Sequence, residues 1–150
     1  MDPRLPLAIT LGDPAGIGPE IVVRLFQQGL PHPAIVIGDL GAVRRAVALF
    51  HADLEILPLR PDALAGAIEQ RIPILVTSNV GEAIEWGQVD ARAGAAALQA
   101  IVTGAKLARE GKVAGIVTAP INKEAMVAAG SHFPGHTELL AAESNTPHVS

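Results

Sequence analysis

Short apolar runs alternate along the chain with longer stretches in which apolar residues recur every three or four positions, the pattern of an α/β protein with a largely parallel sheet and flanking helices. Residues 7–11 predict a first strand, which runs into the turn Gly12-Asp13-Pro14-Ala15-Gly16-Ile17-Gly18. Pro19 then suits the first helical position, where its missing N–H costs nothing. In that helix Ile21, Val22, Leu25 and Phe26 share a face opposite Glu20, Arg24 and Gln27, and Gly29 and Pro31 stop it. A second strand over 34–37 ends at Gly38-Asp39, and a helix from about Leu40 buries Leu40, Val43, Val47 and Phe50. Residues 54–57 and 72–77 are further strands, with 79–88 a loop or short irregular piece. A long helix spans about 91–110, with Asp90 as N-cap, Gly111 as stop, and Ala95, Leu98, Val102, Ala105 and Ala108 along one face. A strand at 113–118, a short helix at 121–129 and part of another at 139–143 complete the pattern.

No internal repeat, low-complexity tract or linker interrupts the 150 residues, which suit one compact domain. With 49% hydrophobic and 17% charged residues, the chain has ample apolar surface to bury. Zero cysteines exclude a disulfide scaffold, a cysteine-type zinc site and a thiol nucleophile. A net charge of -4, three Phe, one Trp and no Tyr supply neither a basic footprint nor a stacking platform, so nucleic acid is not an expected partner. The opening Met1-Asp2-Pro3-Arg4-Leu5-Pro6 does not read as a signal peptide. No run of about 18 uncharged apolar residues is present to span a bilayer. The expected setting is therefore cytoplasmic, without a membrane partner.

Three segments carry candidate chemistry. The first, Gly12 to Glu20, is a glycine-rich strand-to-helix turn that brings backbone N–H groups towards an anion, or else simply makes a tight turn. A Walker loop needs Gly-Lys-Ser/Thr, and here Pro19 and Glu20 follow Gly18; the dinucleotide fingerprint needs a third glycine where Ile21 stands. Asp39 does end the second strand, where a ribose-binding acid would sit. The second segment is Thr118-Ala119-Pro120-Ile121-Asn122-Lys123-Glu124, just past a strand, where ligands gather in open α/β sheets. Asn122 is placed to cap the next helix, and Lys123 offers a point charge to a phosphate or is merely solvated. In the third, His132-Phe133-Pro134-Gly135-His136-Thr137-Glu138, the Pro-Gly pair breaks any helix, so the two histidines do not form a metal pair by spacing alone. His136-Thr137-Glu138 opens a helix whose free N–H groups, hydroxyl and imidazole converge on an anion, unless Thr137 is an ordinary cap. His32, His51 and His148 are scattered, and no Gly-x-Ser-x-Gly elbow appears.

Taken in order, Ile9 to Glu20, Thr118 to Lys123 and Phe133-Pro134-Gly135-His136-Thr137-Glu138-Leu139-Leu140 resemble the 4-hydroxythreonine-4-phosphate dehydrogenases of vitamin B6 synthesis. The resemblance runs from about Leu7 to Ser150, three motifs in register. It implies a fold like that of the isocitrate and isopropylmalate dehydrogenases, a homodimer, NAD or NADP as cofactor, and a divalent zinc, magnesium or cobalt ion. The implied reaction oxidises the hydroxyl of 4-phosphooxy-L-threonine, and the β-keto acid then decarboxylates to 3-amino-2-oxopropyl phosphate on the way to pyridoxal phosphate. The metal would polarise the alcohol oxygen, hydride would pass to the nicotinamide, and the new ketone would drain the carbanion. By the family's signature His136 and Thr137 bind the substrate; Lys123 is a candidate phosphate partner and Asp13, at a strand end, a further candidate contact. The family's three metal-ligating histidines match none of those present and would follow Ser150. Residues 1–150 thus read as the N-terminal part of such a dehydrogenase, with the remainder of the fold after Ser150, and this piece alone is expected not to turn over. The resemblance names no catalytic residue and no NAD contact here.

A phospho-threonate or erythronate dehydrogenase of the same family shares these motifs. A non-catalytic phospho-ligand-binding module is the reading if 150 residues is the natural length. An acyl-phosphate transferase of related fold would need coenzyme A, for which nothing in the sequence speaks.

Overall fold

A computed structural model describes residues 5–64 and 70–130. Strands β1 (Leu7–Thr10), β2 (Ala34–Asp39), β3 (Glu55–Pro58), β4 (Arg71–Ser78) and β5 (Gly115–Thr118) form one sheet in the order β3-β4-β2-β1-β5. Every pairing is parallel, with Leu7 opposite Ala34 on one side and Gly115 on the other. The helices are α1 (Gly18–Gln28), α2 (Leu40–Leu49), α3 (Ala91–Arg109) and α4 (Lys123–Ala128), with a short 3-10 turn at Gly81–Ala83. The architecture is the parallel α/β sheet that the alternating pattern predicts.

Strand periodicity of two divides the core into two layers. Ile9, Val36 and Ile74 pack with Val22, Val23 and Phe26 of α1 and Val43 and Ala46 of α2. Ala8, Ile35, Ile37 and Leu75 point the other way, against Ala100 and Leu107 of α3. All six residues of β2 are buried, as a strand covered on both faces requires. No helix among the described residues is long and apolar enough to cross a membrane.

Helical faces differ from the sequence expectation: in α2 the fully buried residues are Gly41, Ala42, Val43 and Ala46, while Leu40, Val47 and Phe50 are only partly buried against the core. In α1 the buried stripe is Pro19, Val22, Val23 and Phe26, while Ile21 is exposed and Leu25 only half-buried. The rotation is set at the helix start, where a side chain on Gly18 would collide with the backbone oxygen of Leu11. In α3 the buried residues include Ala93, Gly94, Ala97, Ala100, Ile101, Gly104 and Ala105, whereas Ala95 and Val102 face solvent. So many of its positions are apolar that periodicity admits several stripes, and the smallest residues win because they permit the closest approach. The caps follow expectation: Asp90 accepts from the Arg92 N–H at 2.8 Å, and Asn122 from the Ala125 N–H at 2.9 Å. The helical segment expected at 139–143 lies outside the described residues.

Candidate functional site at the carboxyl ends of β1 and β5

Parallel neighbours β1 and β5 deliver their following loops to the same edge of the sheet, where open α/β folds hold ligands. After β1 the chain turns at Gly12, whose φ of 78° favours glycine and whose added Cβ would strike the Pro120 oxygen. That approach lets the Asp13 N–H donate to the Pro120 carbonyl at 3.1 Å, tying the two loops together. A third segment joins them, because the Gly87 N–H donates to the Ala15 carbonyl at 2.8 Å. The cleft between them has a volume of about 270 Å³ and is lined by residues of all three loops, among them Asp13, Gly16, Gly87 and Asn122.

Asp13 sits at the base of this cleft and is only 3% exposed. Its Oδ1 accepts from the Ala15 N–H at 2.7 Å. Its Oδ2 is buried with no hydrogen-bond partner. Burial pushes the carboxyl above its ordinary 3.8; the Ala15 hydrogen bond pulls the other way, and the charge of nearby Asp90 adds to the rise.

Arg45 of α2 braces the outer wall. Its guanidinium donates to the Pro14 carbonyl at 3.1 Å and to the Ile84 carbonyl, and stacks over Trp86 with 4.2 Å from Cζ to the ring centroid. Burial lowers its pKa, opposed by the charges of Asp39 and Glu82.

Asp39 is not available as a ribose-binding acid. Its Oδ1 accepts from Ser78 Oγ and the Val80 N–H, both at 2.7 Å, and its Oδ2 from the Ala42 N–H at 2.9 Å and the Gly81 N–H at 2.7 Å. Four donors fill a carboxylate. With the glycines at 12 and 18 packed against backbone oxygens, the standard dinucleotide arrangement is not formed at the β1–α1 turn.

Of the residues singled out from sequence, Asp13 lies in the cleft, and Lys123 is exposed at the start of α4, one position past the cleft-lining Asn122. His136 and Thr137 lie outside the described residues. Sequence reading did not identify Arg45, Trp86 or Gly87 as parts of the site. The one tryptophan beside a glycine in an otherwise patternless loop was the available signal. Among the described residues no group of three or more His, Asp or Glu is placed to hold a metal ion.

Comparison with known proteins agrees with this architecture. The chain is 42% identical over 146 residues to a 4-hydroxythreonine-4-phosphate dehydrogenase of Beijerinckia indica, covering 97% of this chain and 43% of that protein. It is 40% identical over 147 residues to a D-threonate 4-phosphate dehydrogenase of Salmonella typhimurium, covering 90% of this chain and 42% of the relative. The crystal structure of a 4-hydroxythreonine-4-phosphate dehydrogenase from Burkholderia phymatum superposes with a TM-score of 0.88 at 34% identity, over 95% of this chain and 44% of that one. The chain thus spans less than half the length of these relatives. The family model described as pyridoxal phosphate biosynthetic protein PdxA matches residues 30–150, and with that match the chain belongs to the PdxA family.

Proposed function

We propose that the protein carrying this chain is an NAD-dependent (or NADP-dependent), divalent-metal-dependent dehydrogenase. It oxidises 4-phosphooxy-L-threonine, and the product decarboxylates to 3-amino-2-oxopropyl phosphate in pyridoxal phosphate biosynthesis. The observation that carries the reading is the PdxA family match over residues 30–150, supported by a relative of that name at 42% identity. His136 and Thr137 are proposed to bind the substrate, with Lys123 at the start of α4 as a partner for its phosphate. A cytoplasmic homodimer is part of the same proposal.

The nicotinamide, when bound, supplies the hydride acceptor. The described residues do not fit the zinc, magnesium or cobalt ion, so no step is drawn through it. What this chain contributes is position: the loops after β1 and β5 are locked to each other by the Asp13-to-Pro120 hydrogen bond, which holds one side of the cleft rigid.

The likeness to a D-threonate 4-phosphate dehydrogenase at 40% identity favours a second substrate, in which a hydroxyl replaces the amine. A side-by-side assay of NADH production by the intact protein decides between them. Higher kcat/KM for 4-phosphooxy-L-threonine than for 4-phospho-D-threonate is expected. Preference for the threonate would replace the first substrate with the second, and no turnover of either would overturn the dehydrogenase reading.

A further inference from the structure

We propose that the cleft over Asp13 is a binding subsite in which the free Oδ2 of Asp13 accepts a hydrogen bond from an ammonium or hydroxyl group of a ligand. A buried carboxylate oxygen without a donor is costly, and the other buried carboxylate among the described residues is fully satisfied: Asp39, at the end of the neighbouring strand, has two donors on each oxygen. Asp13 lines the cleft, the side from which a ligand would bring the missing donor.

The surroundings select the chemistry of that donor. The described lining residues are Asp13, Ala15, Gly16, Ile17, the 87–88 pair and the 120–122 segment, with no Lys, Arg or His among them. Among the described residues the carboxylate therefore has no counter-charge in the cleft wall, and Asp90 adds a second negative field. A phosphate would meet repulsion; a cationic or neutral donor would not. At about 270 Å³ the cleft is smaller than the roughly 300–1,000 Å³ of a whole-ligand pocket, so it takes one end of a larger molecule. Two sources of such a donor follow from the dehydrogenase reading, on which the choice of probes rests: the amino and hydroxyl end of 4-phosphooxy-L-threonine, or a ribose hydroxyl of NAD.

The test is isothermal titration calorimetry of the intact protein with each probe separately, for wild type, Asp13→Asn and Gly16→Leu. Asparagine keeps an acceptor for the Ala15 N–H but presents an NH₂ where Oδ2 was. Leucine at 16 leaves the carboxylate untouched and fills the cleft. A Cβ there meets Asp13 backbone oxygen at 3.4 Å and Asp13 Cβ at 3.7 Å, ordinary contact distances, so the position has room for a side chain to start and Gly16→Leu decides if Asp13→Asn fails to fold. Both variants are expected to weaken one probe by about tenfold or more and leave the other within about twofold. Loss confined to 4-phosphooxy-L-threonine assigns the subsite to the substrate, and loss confined to NAD assigns it to the dinucleotide. Wild-type affinity for both probes in folded variants overturns the subsite and leaves the dehydrogenase reading standing. A wild-type protein that binds neither probe overturns both.

Discussion

Asp39 and Asp13 both follow the carboxyl ends of strands, β2 and β1, yet the protein satisfies only the first with its own donors. Asp39→Ala would strip acceptors from the Ala42, Val80 and Gly81 N–H groups and from Ser78 at once. A loss of about 2–4 kcal/mol is expected in urea unfolding, since each orphaned buried donor and the lost helix cap contribute. Asp13→Asn should behave in the opposite sense. A carboxyl whose folded pKa lies above its unfolded value holds its proton more tightly when folded, so its ionisation opposes folding. Wild type should match Asp13→Asn in acid and lose stability relative to it as pH rises from about 3.8 through the folded titration. Denaturant unfolding from about pH 3.5 to about pH 7.5 would show this, and a gap that stayed constant across the range would refute it. Both aspartates could be flagged from the sequence by their places at strand ends. Which one was filled could not, because Ser78 is the last residue of β4 and Val80 and Gly81 belong to the irregular stretch after it, where no periodicity places them.

At the scale of elements, every strand and helix expected within the described residues is present, because short apolar runs, the proline that opens α1 and the side-chain caps Asp39, Asp90 and Asn122 leave little choice. The rotations of α1 and α3 were less legible. Both depend on where backbones touch, and a run such as Ala95-Ala96-Ala97 is equally apolar on each side. In α3 the contact that decides is Gly94, where an added Cβ would lie 2.0 Å from the Ala125 backbone oxygen of α4. Gly94→Ala should therefore destabilise by about 1–3 kcal/mol, although alanine favours a helix by about 1 kcal/mol. Gly104→Ala would meet only flexible side-chain ends, the Thr10 methyl at 3.2 Å and the Ile37 and Ile116 Cδ1 atoms at 3.6 and 3.8 Å, and should cost clearly less when the two variants are compared by urea unfolding.

For the whole molecule, the fold class could be read from alternation alone, whereas the cleft could not. It is assembled from residues near positions 13–17, 87–88 and 120–122, which only the parallel pairing of β1 with β5 and the span of Arg45 bring together. The motif at His136 and Thr137, proposed to bind substrate, was legible in the sequence and lies outside the described residues. The chain spans less than half the length of its relatives, and we propose that the 150-residue polypeptide on its own gives no metal-dependent NADH production. Measurable turnover by the purified 15.5 kDa piece would show that expectation to be false.

Trp86, held under the Arg45 guanidinium and adjoining the cleft-lining Gly87, is the chain's single tryptophan in a sequence without tyrosine. Ultraviolet emission from this chain consequently reports one place, the rim of the Asp13 cleft. Occupancy that shifts the 87–88 segment would alter the indole's colour and brightness, giving these 150 residues a built-in optical readout that needs no attached dye.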